Sequence, residues 1–244
     1  MNFSTASFHQ LEPNLVLHAT EEAGFLPTGE FNQLNSYENR VFDIRLEPGS
    51  IGSEPNRVIA KFYRPNRWSP EAIFEEHSFL RDLKQEGVPV IATLLQKNKS
   101  TLLTIEGMQV VFFPKFMWRM PDEFLGDDLY QIGRRLAQIH NVGVRQNFQH
   151  RTSLGFEPIL ESNLLLLDSW IAPEVRGRYK NAVNTILDYV FERIEPESFI
   201  RIHGDCHRGN LLQRKLTTGQ NEIFFVDFDD CLMGPETQDF WMLF

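Results

Sequence analysis

The chain has 244 residues, 42% hydrophobic and 23% charged, an ordinary globular composition long enough for one large domain or two lobes sharing a cleft. Lys and Arg number 24 against 33 Asp and Glu, so the net charge is −9 and the pI about 5.3, which argues against nucleic acid or an anionic membrane surface as default partner. No cationic region with an apolar core opens the chain and no apolar run approaches the roughly 20 residues of a bilayer span, so a cytoplasmic protein is expected, with Cys206 and Cys231 as reduced thiols.

Residues 12–23 read as a helix, with Leu15, Leu17, Ala19 and Ala23 on a loose apolar face and Gly24 ending it. Residues 31–35 and 40–46 read as strands around the polar turn Asn35-Ser36-Tyr37-Glu38-Asn39. Neither G-x-G-x-x-G nor G-x-x-x-x-G-K-[ST] occurs anywhere, so Rossmann and P-loop readings fail. Ser36 offers a hydroxyl and a turn N–H to a phosphate, and an ordinary hairpin tip is the even alternative.

Residues 57–63 form a third expected strand, in which Lys61 breaks an apolar run; a buried ammonium needs a partner, whereas a snorkelling one does not. Ser69 as N-cap and Pro70 in the first turn open a helix that runs to about residue 86 before Gly87. Its apolar stripe is Ile73, Leu80 and Leu83, and Glu76 falls on that stripe. A carboxylate there is costly unless paired, and Lys61 is the expected partner. Glu75 is expected to point more toward solvent, and His77 to be structural.

Residues 90–95, 101–105 and 109–113 complete an expected antiparallel sheet, with Gly107 in the last turn. Residues 114–121 hold two prolines and read as a hinge. Residues 122–142 read as a helix with Leu129, Ile132, Leu136 and Ile139 on one face; His140 closes it as a dipole or packing feature, outside the site. A loop at 147–158 and helices at 159–170 and 173–193 follow, the leucine-rich run 162–167 being expected in the core.

Two polar clusters then stand between apolar strand-like runs: His203-Gly204-Asp205-Cys206-His207-Arg208-Gly209-Asn210, and Asp227-Phe228-Asp229-Asp230 after Ile223-Phe224-Phe225-Val226. Residues 215–221 form the polar turn between them. Asp205 and Asn210 stand five positions apart, the Asp-to-Asn spacing of the kinase catalytic loop, and Asp227 falls where a metal-binding Asp would follow. This suits phosphoryl transfer, which needs an acceptor for the hydroxyl proton and oxygen ligands for Mg²⁺ on the nucleotide phosphates. Asp205 is the candidate base, Asn210 and Asp227 the candidate metal ligands. Lys61, steadied by Glu76, is placed on the phosphates of ATP, and Ser36 over them. Asp229 and Asp230 are candidates to assist metal or acceptor binding, and His203 to orient the loop. His207 is not read as a metal ligand, since hard Mg²⁺ prefers oxygen. Phe113, Phe116 and Trp118 either pack a core or line the adenine site.

The first cluster and Val226-Asp227-Phe228-Asp229-Asp230 resemble the choline/aminoglycoside phosphotransferase branch of the kinase-like fold, which reads H-G-D-x-H-x-x-N and then h-D-[FLW]-[DE]. Asn35-Ser36-Tyr37-Glu38-Asn39-Arg40-Val41, Lys61-Phe62-Tyr63-Arg64-Pro65 and Gly234-Pro235 to Trp241 are similar to the stress response kinase A family, over nearly the whole chain. The resemblance implies an ATP- and Mg²⁺-dependent cytoplasmic kinase acting on Ser and Thr of a protein, and gives Asp239 a structural role on the catalytic loop. The alternatives are a kinase for a small hydroxyl compound and an inactive nucleotide-binding fragment.

The expected architecture is α+β and two-lobed, protein-kinase-like, and monomeric. Residues 1–116 form an N-lobe with an antiparallel sheet, and residues 117–244 a mainly helical C-lobe. Trp241-Met242-Leu243-Phe244 end the sequence without a polar tail, so the C-lobe is expected to be truncated and these side chains to form a sticky patch.

Overall fold

In the computed structural model, which describes residues 8, 11–51, 56–121, 123, 124, 126–155, 157–217 and 221–243, alternating apolar residues draw the first half of the chain into an antiparallel sheet. Its strands are β1 (Pro27–Leu34), β2 (Arg40–Leu46), β3 (Arg57–Phe62), β4 (Leu103–Ile105) and β5 (Met108–Pro114), in the order β1-β2-β3-β5-β4. Phe42, Ala60 and Phe112 stand in one cross-strand row, while Val41, Lys61 and Val111 form the next row on the opposite face. Helix α1 (Pro13–Glu22) shares the buried cluster of the first face through Val16 and Ala19. On the other face Val111 joins Tyr63, Leu102 and Ile73, which belongs to helix α2 (Pro70–Gln85).

Helix α2 begins as its sequence dictates: the Ser69 hydroxyl accepts the Ala72 N–H at 3.2 Å, and Pro70 occupies the first turn. Gly87 then leaves the helix at φ 73°. One expected strand does not form. Residues 90–95 and the proline before them split their backbone bonds between two partners: Leu94 N–H donates to Phe112 O at 2.7 Å, while Pro89 O accepts from Phe225 N–H at 3.0 Å. A segment that crosses from one ladder to another, behind a proline with no N–H, makes no continuous strand.

The second half holds helix α3 (Gly126–Gly143), helix α4 (Glu157–Asp168), helix α5 (Pro173–Phe191) and two strand pairs. The expected start of α3 at Asp122 lies outside the described residues. Strand β6 (Ile200–Ile202) pairs with β9 (Leu232–Gly234), and β7 (Leu211–Lys215) with β8 (Asn221–Phe225). Of the turn expected at 215–221, residues 218–220 lie outside the described set. Ile132, Leu136 and Ile139 of α3 join Phe79, Leu83, Phe225 and Phe228 in one core. The leucine run of α4 departs from expectation: Leu165 is 77% exposed and Leu166 68%, and α5 buries none of its described residues. Helix α6 (Thr237–Trp241) leaves Trp241 exposed, but Leu243 packs on the core instead of joining a patch, and Phe244 lies outside the described residues. Among the described residues no helix is long and apolar enough to cross a membrane.

Candidate active site

Strand β6 delivers the loop 203–210, and a buried Asp239 holds it from α6. Its Oδ2 accepts the His203 N–H at 3.0 Å and its Oδ1 the Gly204 N–H at 2.8 Å. This is the role the resemblance implied. His140, which sequence reasoning left aside, bonds the same carboxylate at 2.9 Å and so anchors the loop through α3. Gly204 has φ 84°, and a Cβ there would lie 2.2 Å from Asp230 O, so only glycine lets this loop approach the next one. Within the loop, Asn210 Nδ2 donates to Asp205 O at 2.9 Å and to Asp205 Oδ2 at 3.2 Å. Both Asn210 donors face inward and its oxygen remains an acceptor.

The second loop meets the first through Val226. Its N–H donates to Asn210 O and its carbonyl accepts from His203 Nε2, each at 3.0 Å. The expected orienting role of His203 has this geometric form. Asp227 follows in a left-handed conformation, φ 60° and ψ 66°, uncommon away from glycine and costly enough to require support. The support is ionic. Lys61 Nζ lies 2.9 Å from Asp227 Oδ1 and 3.4 Å from Asp229 Oδ1. Burial opposes the Lys61 charge, yet Asp227, Asp229 and Glu76 outweigh it and raise its pKa above the ordinary value. Lys61 in turn holds the Asp227 carboxyl below the usual range, against the effect of burial.

The expected Lys61–Glu76 ion pair is replaced. Glu76 Oε2 accepts from Arg151 Nη2 at 2.9 Å and from the Tyr63 hydroxyl at 3.0 Å, while its Oε1 is buried without a hydrogen-bond partner. Burial raises the Glu76 pKa, though Lys61 and Arg151 counteract it. Arg151 also donates to Ala72 O, Asp229 O and Cys231 O at 2.7–2.9 Å, joining α2 to the Asp227 loop. Glu75 is half-buried and faces solvent more than Glu76, as expected, and its carboxylate accepts the backbone N–H groups of Gln149, His150 and Arg151 at 2.6–3.1 Å. A lone arginine in a loop carries no sequence signal for this, so Arg151 was missed.

Arg67 was missed too. Its Nη1 lies 2.7 Å from Asp229 Oδ2, and its Nη2 meets Asp230 Oδ1. Asn39 donates to the same Asp229 Oδ2 at 2.9 Å. Asp229 is therefore a buried tie between the β1–β2 turn and this loop, with Oδ2 already engaged. Burial raises the Asp230 pKa despite Arg67. Ser36 sits half-buried in that same turn, beyond the Val41–Lys61 row, while Glu38 is bonded by Arg64 at 2.9 Å. Cys206 and Cys231 are both buried, and burial pushes their thiol pKa values up, away from reactivity.

A cavity of about 300 Å³ opens beside Lys61 and Asp227. Val41, Ile59, Leu80, Phe113, Phe116 and Trp118 line its apolar side, and Glu76 lies at its polar end. Trp118 is stacked between Phe116 at 4.1 Å and Phe224 at 3.9 Å, and the Arg119 and Gln213 backbones bond each other. The hinge segment is thus pinned to the β7–β8 hairpin. Among the described residues no group of three or more His, Cys, Asp or Glu is arranged to hold a metal alone. The Asn210 oxygen and the Asp227 carboxylate are hard donors that suit a divalent cation sharing its shell with phosphate oxygens and water.

Residues 30–244 match the phosphotransferase enzyme family. All of the chain aligns, at 34% identity over 246 residues, with Stress response kinase A of Escherichia coli (strain K12), covering 71% of it. It is 35% identical, with the same coverage, to Serine/threonine protein kinase RdoA of Salmonella typhimurium (strain LT2). Among solved structures, amicoumacin kinase hAmiN in complex with AMP-PNP, Ca²⁺ and Ami superposes with a TM-score of 0.78 at 20% identity, over 99% of this chain and 71% of that one. A microcompartment-associated aminopropanol kinase gives 0.73 at 23%, over 94% and 73%. These likenesses are of fold, and the expected kinase-like α+β architecture is the one found.

Proposed function

The chain belongs to the phosphotransferase enzyme family, and we propose that within it this protein transfers the γ-phosphate of ATP to a Ser or Thr hydroxyl of a protein, with Mg²⁺, in the cytoplasm. The observation that carries the reading is the meeting of Lys61 with Asp227 at 2.9 Å, beside an apolar cavity and against the Asp205–Asn210 loop. In this reading residues 1–116 and 117–244 act as two lobes, and the chain works as a monomer.

The adenine lies among the apolar side chains of the cavity. Lys61 turns its ammonium to the α- and β-phosphates, and Ser36 covers them. Asn210 and Asp227 would hold Mg²⁺, which would supply positive charge to the phosphate oxygens as charge develops on them. Asp205 orients the acceptor hydroxyl and takes its proton. Glu76 acts at one remove, through Arg151 and the field it places on Lys61. The names of the relatives at 34–35% identity support a protein acceptor. A second reading, a small hydroxyl-bearing acceptor, draws on the solved structures of small-molecule kinases with this fold.

The test is ATP turnover against a Ser/Thr protein substrate and, side by side, a panel of amino alcohols and amino sugars. Turnover only with the small compounds replaces the first reading by the second. Calorimetry adds a check on the metal assignment: Asp227→Ala weakens ATP binding when Mg²⁺ is present and leaves metal-free affinity alone. Equal losses in both conditions remove that assignment.

A further inference from the structure

We propose that His207 is a positioning residue that sets the orientation of the Asp205 carboxylate; the inference rests on the reading of Asp205 as the base. The loop winds back on itself at this residue. His207 N–H donates to Asp205 O at 2.9 Å, and Asn210 N–H donates to His207 O at 2.9 Å. The imidazole is turned inward as well, because its Nδ1 accepts the Gly209 N–H at 2.9 Å. With Nδ1 an acceptor, the proton of the neutral ring sits on Nε2. That nitrogen lies 3.6 Å from Asp205 Oδ2, the oxygen that Asn210 Nδ2 also faces at 3.2 Å. Oδ2 thus has one N–H bonded to it and a second within closing distance, which leaves Oδ1 for the acceptor hydroxyl.

An aspartate needs such help. Its terminal torsion is broad, so a carboxylate held at one point swings. Catalytic hydrogen bonds are often long before the acceptor is bound and tighten in the reacting complex, which a 3.6 Å approach allows. Packing does not account for the ring, because the His207 side chain is 45% exposed. His203, by contrast, is fully buried. Gly209 supplies an independent observation. A Cβ there would stand 2.6 Å from His207 Cε1 and 2.9 Å from Nδ1, while Gly209 is not among the positive-φ glycines. The absence of a Cβ at this position leaves the imidazole the place it occupies, and an alanine would push the ring aside.

The test measures steady-state kinetics, ATP affinity and melting for His207→Ala, His207→Gln, Gly209→Ala and the double His207→Ala/Gly209→Ala variant. Loss of the charge-assisted hydrogen bond that this 3.6 Å contact becomes in the reacting complex lowers kcat about tenfold or more in His207→Ala, with the KM for ATP and the melting temperature unchanged. His207→Gln, whose amide N–H reaches the place of Nε2, restores most of it. Gly209→Ala matches His207→Ala, and the double variant loses no more than either. Nitrogen NMR of the histidines gives a readout without turnover: the neutral His207 ring is the Nε2–H tautomer, and Asp205→Asn shifts its Nε2 resonance. Parental kcat in His207→Ala, a glutamine variant as low as the alanine one, or a resonance indifferent to Asp205→Asn overturns the proposal. Parental turnover in Asp205→Asn removes the base assignment instead, and leaves the NMR contact to be judged by itself.

Discussion

The two loops that converge on the cavity are stabilised in opposite ways. The Asp205 loop is held mostly from its own neighbourhood: Asn210 and His207 bond back onto Asp205, and Asp239 receives two N–H groups at its base. Its carboxylate is a third exposed and has no cation paired to it among the described residues, His207 aside. The Asp227 loop is held from afar. Lys61, Arg67, Asn39 and Arg151 reach it across 78 to 190 positions of sequence, and Asp229 is 3% exposed. A self-contained loop leaves its carboxylate partly free at little cost to the fold. A loop tied through one buried carboxylate, Asp229, needs matching cations, and the fold then depends on them.

That difference predicts which changes harm chemistry and which harm stability. The largest effect expected is chemical: Asp205→Asn lowers kcat by about 10²–10⁴-fold, the usual contribution of a general base, with melting nearly unchanged. A stability loss to match the lost activity would erase the distinction between the loops. Arg151→Met does the reverse. It leaves the buried Glu76 carboxylate with only the Tyr63 hydroxyl bonded to it and removes the bonds to Asp229 O and Cys231 O, so unfolding free energy falls by about 3–5 kcal/mol. Denaturant titration reads this directly, and a loss below 1 kcal/mol would show that the network is not what holds the loop.

A smaller effect comes from His77, which bonds Thr101 Oγ1 at 2.7 Å on the far side of the same network. Burial, with Lys61 and Arg151 nearby, pushes its pKa from 6.5 down to about 3. The unfolded chain therefore binds the extra proton between those values. Stability is full above about pH 6.5 and falls with acidification, by about 2 kcal/mol at pH 5. Melting curves from pH 7 to 5 should show a weaker pH dependence in His77→Gln than in the parent. The smallest effect is that of Arg67→Lys. A point-like ammonium serves one carboxylate where the guanidinium serves Asp229 and Asp230 together, and the site is partly exposed, so the loss is about 1 kcal/mol. If Arg67→Lys destabilises as much as Arg151→Met, the Asp227 loop is anchored chiefly through the connection between β3 and α2.

Much of this was legible from local pattern. Ser69 before Pro70, the stripe Ile73–Leu80–Leu83 and the alternation in β2 and β3 each encode an element through neighbours a few residues apart. The Asp205 loop was legible for the same reason: its spacing is the structure, since Asn210 bonds the residue five positions before it. Even the buried position of Glu76 followed from helical period alone.

What tertiary structure decided is who pairs with whom. The sequence placed Lys61 and Glu76 in one interior, but not Arg151, which arrives from a loop 75 positions beyond Glu76 and takes its carboxylate. Lys61 then settles on Asp227, and Asp229 is consumed by Asn39 and Arg67. Residues 90–95 and the leucines of α4 carry strand and core patterns, yet one crosses between ladders and the other lies exposed, because hydrophobic periodicity states a preference for burial without naming what will cover it. Charge pairing and burial between distant elements depend on the folded geometry, which residue type and spacing do not specify.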